Sequence, residues 1–177
     1  MNRMLLPLLG LALVIVPSAS AQTPPGTDAP EYQETTVGGS VASTLSLTLG
    51  PAATFGAFAP GVSTDYTAST TGTVISTAGD ATLAVADPSS TSTGHLVNGS
   101  FSLASPLRAK ATSPAGTGGT EGAVGSSAAP TPLLAYSGPV SNDQVTIAFA
   151  QSIAASEPLR TGPYGKTLTF TLSTTNP

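Results

Sequence analysis

Few side chains in this sequence can do chemistry, and their spacing limits which reactions are open to them. His95 is the only histidine; it stands between the turn residue Gly94 and the apolar pair Leu96 and Val97. A lone histidine can serve a Ser-His-Asp arrangement, but the Gly-x-Ser-x-Gly elbow that would present a nucleophilic serine does not occur. One histidine without cysteine also falls short of the several nitrogen or sulfur ligands that zinc requires. His95 therefore reads as a structural or surface residue.

Carboxylates are the other reactive class. Asp65, Asp80, Asp87, Asp143 and Glu157 could furnish the pair that hydrolyses a glycosidic bond if two of them approached at the required separation. Most lie in or beside turns, where Asp bonds the local backbone, so turn formation is the expected role of each. Calcium accepts loop carboxylates and carbonyls from separate segments; it would draw first on Asp80, Asp87 and Asp143, although no contiguous Asp-rich loop is present. No other cofactor is implied, and no catalytic residue is assigned. Arg160, followed by Thr161 and Gly162, could hold an acidic glycan or pair with a carboxylate, and pairing is the default expectation. Tyr66, Tyr136 and Tyr164 could stack on sugars, yet they fall on inward positions of the alternation and are expected in the core or at its edge.

These residues must be carried by strands. Charged residues make up 8 % of the chain while Thr, Ser, Ala and Gly dominate it, and the regular spacing of Val, Ile, Leu and Phe between them separates it from a disordered composition. Thr and Val suit a pleated, half-buried surface. Period-two alternation predicts strands over 41–49, 65–77, 81–86, 144–150 and 166–174, with shorter ones at 95–97, 101–103, 107–111 and 133–136. The strands 65–77 and 81–86, joined by Ala78-Gly79-Asp80, could form a hairpin. Asn98-Gly99 is the strongest hairpin signal, and with Ser100 it also fits a glycosylation acceptor pattern. Phe55 and Phe58 are expected as plugs at one end of the core, with Leu159 and Tyr164 capping it. Residues 112–131, rich in Gly, Ser, Ala and Thr, read as a long mobile loop. Many short strands joined by Gly/Pro turns, with no sustained helical period, predict an all-β fold, an antiparallel β-sandwich of immunoglobulin-like or jelly-roll-like kind.

The start of the sequence follows the logic of a secretory signal: Arg3, an apolar run over 5–16, then Ala19-Ser20-Ala21 as a cleavage site. A signal peptide over 1–21, a Pro-rich spacer over 22–39 and a sandwich domain over 40–177 are the expected organisation. The apolar run is shorter than the roughly 20 residues a spanning helix needs, and no later stretch is long enough, so no transmembrane segment is expected in the mature chain. Without Arg3, four cations (Arg108, Lys110, Arg160, Lys166) face nine carboxylates, giving a formal charge of 4 − 9 = −5. A polybasic surface for nucleic acid is thereby excluded. With no cysteine, disulfides, thiol nucleophiles and the acylated cysteine of a lipoprotein are excluded too.

Several tracts resemble a group of uncharacterised secreted proteins from high-GC Gram-positive bacteria. They are Gly79-Asp80-Ala81-Thr82-Leu83, Gly94-His95-Leu96-Val97-Asn98-Gly99, Ser137-Gly138-Pro139-Val140-Ser141-Asn142-Asp143, Val145-Thr146-Ile147, and Leu159-Arg160-Thr161-Gly162 with Tyr164 and Lys166. The likeness spans most of residues 41–177 and implies a secreted sandwich domain without an established activity. The strand patterning is also similar to that of WxL-type cell-surface domains, which bind cell wall noncovalently, but the chain has no Trp and so lacks their defining motif. The Gly-x-Tyr step into a Thr-rich last strand resembles spore-coat-U-type and pilin-like sandwiches, which usually carry cysteines.

The expectation is therefore a secreted, noncatalytic binding or structural domain of the bacterial envelope. Its partner would be cell-wall glycan or another surface protein. The alternatives are a self-assembling subunit that adds strands at its edges and, third, a carboxylate-dependent glycan hydrolase.

Overall fold

Alternation of polar and apolar side chains makes one face of each long strand wet and the other dry. On that pattern the computed structural model, which describes residues 32–175, forms twelve strands. They are β1 (Leu45–Leu49), β2 (Thr64–Ser76), β3 (Ala81–Asp87), β4 (Val97–Asn98), β5 (Phe101–Ser102), β6 (Arg108–Thr112), β7 (Thr117–Gly118), β8 (Gly122–Ala123), β9 (Gly125–Ser126), β10 (Thr131–Tyr136), β11 (Val140–Ile153) and β12 (Thr169–Ser173). The chain divides into a unit Met1–Gly38 and a unit Gly39–Pro177. Of the first, residues 32–38 are exposed and without regular structure; the expected signal segment and the start of the spacer lie outside the described residues. All twelve strands belong to the second unit. No helix among the described residues is long and apolar enough to cross a membrane.

Of the two five-stranded sheets, one runs in the order β1-β2-β11-β6-β8 and the other runs β12-β3-β10-β7 with β9 beside β3, while β4 and β5 pair as a separate two-stranded sheet. Apart from the short parallel step of β9 on β3, every pairing is antiparallel. The sheets stay open and pack as an antiparallel β-sandwich. Val74, Ala109, Val145 and Ile147 of the first sheet meet Leu83, Val85, Leu133 and Leu134 of the second, all buried in one cluster. Burying each of the larger ones is worth roughly 1.5–3 kcal/mol. The spine is the ladder between β2 and β11, from Val74↔Asp143 to Thr64↔Ile153. A bulge precedes it, where Asn142 takes φ 54°, so Ser141 and Asn142 sit within the strand as a kink and Ser137-Gly138-Pro139 makes the turn.

Three sequence expectations change at this level. β2 and β3 form no hairpin: β2 lies in the first sheet and β3 in the second, and residues 77–80 carry the chain across. Alternation shows which face of a strand is dry but not which strand lies beside it, and here both dry faces, with Val74 on one and Leu83 on the other, meet across the core. The Asn98-Gly99 hairpin does form, as β4 and β5, but its two-residue loop is Gly99-Ser100, with Asn98 paired to Phe101 and Gly99 at φ 62°. Residues 112–131 contain β7, β8 and β9, and Val124 among them is 4 % exposed in the core. Glycine allows that close packing: a Cβ on Gly125 would lie 2.0 Å from the Ala129 carbonyl oxygen, and one on Gly94 would lie 2.3 Å from that of Val124.

Candidate functional site

Gly50-Pro51 ends β1, and the following residues cross one end of the sandwich as a strap. The Gly50 N–H donates to the Thr71 carbonyl at 2.8 Å, the Thr70 hydroxyl to the Pro51 carbonyl at 2.6 Å, and the Ala59 N–H to the Tyr66 phenol oxygen at 2.8 Å. A second strap, 159–168, leads into β12. The Asn98 amide donates to the carbonyls of Arg160 and Thr161 at 3.4 and 3.2 Å, the Arg160 N–H to the Tyr164 phenol oxygen at 2.8 Å, and Val97 and Gly165 exchange backbone bonds at 3.1 and 3.0 Å. Gly162, at φ 125°, lets the chain pass Asn98; a Cβ there would meet its amide nitrogen at 2.9 Å. Aromatic rings join the two straps, with Phe58 edge-on to Tyr66 at 4.8 Å and 6.1 Å from Tyr164.

Between these straps and the inner ends of the sheets lies a cavity of about 790 Å³. Leu107, Phe149, Phe170, Leu96, Phe55 and Leu159 form much of its wall. Phe55 and Phe58 pack against the core as expected, yet they border this space and leave it open. Single apolar residues in the sequence do not reveal whether the volume between two loops is filled.

Among the described residues no carboxylate lines the cavity, and the charged lining residues are Arg160 and Lys166. Lys166 is neutralised. Its ammonium stands 3.0 Å from Asp87, with 5 % and 0 % of the two side chains exposed, and donates to the carbonyls of Thr91 and Ser92 at 2.9 and 3.1 Å. Burial pushes the Asp87 carboxyl upward. The N–H groups of Gly94 and Ser89 together with Lys166 outweigh it, holding the group below its ordinary value. Arg160 differs from the pairing expected of it: among the described residues it makes no ion pair with a carboxylate. Its guanidinium carbon instead lies 5.8 Å from the centre of the exposed Phe101 ring.

The three carboxylates first considered for calcium are not brought together. Asp80 and Asp87 flank opposite ends of β3, roughly 20 Å apart by strand rise. Asp80 accepts hydrogen bonds from Thr174 and Thr175. Asp87 is held as described above. Asp143 accepts from the Tyr136 phenol at 3.0 Å and the Ala115 N–H at 3.3 Å. Among the described residues no three His, Asp or Glu side chains are grouped so as to hold a metal ion. Burial pushes the Tyr136 phenol up to about 12, with Asp143 adding to the rise and Ser113 opposing it. Asp65 meets Ser152 and, at 3.8 Å, Arg108; Glu157 accepts from the Ala104 N–H at 2.6 Å. Each of these carboxylates fastens local backbone or a neighbouring side chain. His95 does the same, its Nδ1 proton donated to the Leu103 carbonyl at 2.8 Å. Tyr136 is buried, and Tyr66 and Tyr164 lie at the core edge.

Sequence reasoning missed Lys166 as the partner of Asp87. Scarcity was the available signal, since a lysine entering an apolar strand in a chain with 8 % charged residues needs an acceptor inside the fold. No family model, curated protein or solved structure matches the chain.

Proposed function

We propose that this chain is a noncatalytic extracellular binding domain of the bacterial envelope and that it holds its ligand in the cavity between the two straps. The observation that carries the reading is the cavity itself: about 790 Å³, apolar and aromatic in its walls, braced by hydrogen bonds along both straps, and without a lining carboxylate among the described residues. Ligand sites commonly enclose about 300–1,000 Å³, with mostly apolar walls and a few fixed polar groups. The signal-like residues 1–21 and the resemblance to secreted Gram-positive proteins supply the extracellular part of the reading.

Two measurements test it. Cell fractionation of the source organism should find the protein in the envelope or the culture fluid; retention in the cytoplasm overturns the extracellular part. A neutral apolar fluorophore such as N-phenyl-1-naphthylamine should bind the purified protein, and Ala53→Trp, which fills the cavity from its half-buried lining residue, should abolish that binding without loss of thermal stability.

A second reading, self-assembly by strand addition, draws on β1. The Gly50 N–H donates to Thr71 and the Thr77 N–H to Thr44, in register with the pairing Leu45↔Ser76. Residues 44, 46, 48 and 50 therefore turn their backbone groups toward β2, while Leu45, Leu47 and Leu49 turn theirs to the open edge. That edge carries no charge and no proline, the features that usually protect one. Size-exclusion chromatography and electron microscopy separate the readings, since polymers would favour the second.

A further inference from the structure

We propose that the cavity takes a long-chain amphipathic anion, with its acyl chain against Phe55, Phe149 and Phe170 and its carboxylate on Arg160. The inference rests on the reading of the cavity as a binding site and adds the chemistry of the occupant. Two cations line the space. The Lys166 ammonium has three protons and three acceptors, Asp87, Thr91 and Ser92, so it has no proton left to offer a ligand. Arg160, an exposed residue of the lining whose guanidinium carbon lies 5.8 Å from the centre of the Phe101 ring, makes no ion pair among the described residues and keeps its planar donor fork for a carboxylate at the cavity's rim. Its backbone is fixed on both sides, by its own N–H on the Tyr164 phenol and by its carbonyl on the Asn98 amide, which lowers the ordering cost of using the side chain.

Selection against other amphiphiles follows from the same lining. A cationic headgroup would meet Arg160 with no carboxylate to offset it. A neutral alcohol of equal chain length would fill the apolar walls equally well but would lack the charge-assisted bond. A two-chain phospholipid carries a similar anionic head, yet it would have to leave its bilayer and pass beneath straps bonded at both ends; the single-chain acid in solution is the source assigned here.

Displacement of N-phenyl-1-naphthylamine from the purified protein, checked by calorimetry with palmitate alone, tests the assignment. Palmitate should displace the dye roughly 10- to 100-fold more effectively than hexadecanol, the ratio expected for one hydrogen bond to a charged group. Hexadecyltrimethylammonium should be weaker than both. Arg160→Met should bring palmitate down to the level of hexadecanol, and Arg160→Lys should restore part of the difference. Equal displacement by palmitate and hexadecanol, or a preference that survives Arg160→Met, overturns the anionic class while leaving the cavity as a binding site. Failure of both dye and palmitate to bind overturns both readings. Cosedimentation with anionic phospholipid vesicles, undiminished by Arg160→Met, would replace the free acid with a membrane surface and overturn the assignment.

Discussion

Lys166, on the approach to β12, places its ammonium 3.0 Å from the carboxylate of Asp87 at the end of β3, with 5 % and 0 % of the two side chains exposed. The carboxylate also accepts the N–H groups of Ser89 and Gly94 at 2.8 and 2.7 Å, so one buried pair fastens residues 88–94 to the strap that borders the cavity. Removing one partner of such a pair strands the other charge away from water. Asp87→Asn should cost about 3 kcal/mol in denaturant unfolding at neutral pH. Lys166→Met should cost less, because Asp87 keeps two N–H donors. The double substitution should cost clearly less than the sum of the two, and additivity within about 0.5 kcal/mol would show that the pair is uncoupled.

The same carboxylate sets a response to acid. Asp87 is held below its ordinary value of 3.8 in the folded protein, so the unfolded chain binds the proton more readily. Its contribution to stability is complete above the unfolded value and is lost as pH falls through the lower folded one. Unfolding measured from pH 7 downward should show a smaller acid loss in the Asp87→Asn/Lys166→Met double variant than in the wild type.

Tyr136 sets a response to alkali, with the opposite sign. Its phenol, 3 % exposed and bonded to Asp143 at 3.0 Å, is pushed from 10.0 to about 12, so the unfolded chain gives up the proton first. Stability from this group is present below about pH 10 and declines as pH rises toward 12, by on the order of 2 kcal/mol. Tyr136→Phe should flatten that decline, and at pH 7 it should cost about 1–2 kcal/mol for the lost bond to Asp143.

The parity of β1 can be read by proline substitution. Ser46→Pro removes an N–H that faces β2 and should cost about 1–3 kcal/mol. Leu45→Pro removes one that faces the open edge, at a residue already 41 % exposed, and should stay within about 1 kcal/mol of wild type. If the chain assembles through this edge, Leu45→Pro should also reduce the assembled fraction on size exclusion. Equal losses of stability for the two substitutions would contradict the assigned parity, and a larger loss for Leu45→Pro would reverse it.

How much of this could be seen in the sequence depended on whether neighbours in the chain or neighbours in space carried the signal. Alternation of Val145, Ile147 and Phe149, or of Leu168, Phe170 and Leu172, is local, and the strands β11 and β12 form there. The partner of a strand is not local. β2 and β3 adjoin in sequence but enter different sheets, whereas β3 pairs with β12 from the far end of the chain. In β7, β8 and β9, glycine gives no side-chain alternation, and close backbone approach takes its place. Asp87 and Lys166 are 79 positions apart, so each looked like an isolated charge. The cavity is a volume between two loops and has no sequence pattern of its own. Only its wall residues, such as Phe55 and Leu159, could be anticipated, and they were expected to fill the space.

The ladder between β2 and β11 joins Thr64 to Ile153, and that between β3 and β12 joins Thr82 to Ser173. Neither sheet can therefore be completed until nearly the whole domain is available to pair. Closing such long loops before any reward from packing makes formation slow relative to helical domains of similar size. The same delay leaves both edges of β1 unpaired during folding, where the finished sheet leaves one, and copies that meet in that interval face their greatest risk of pairing with one another.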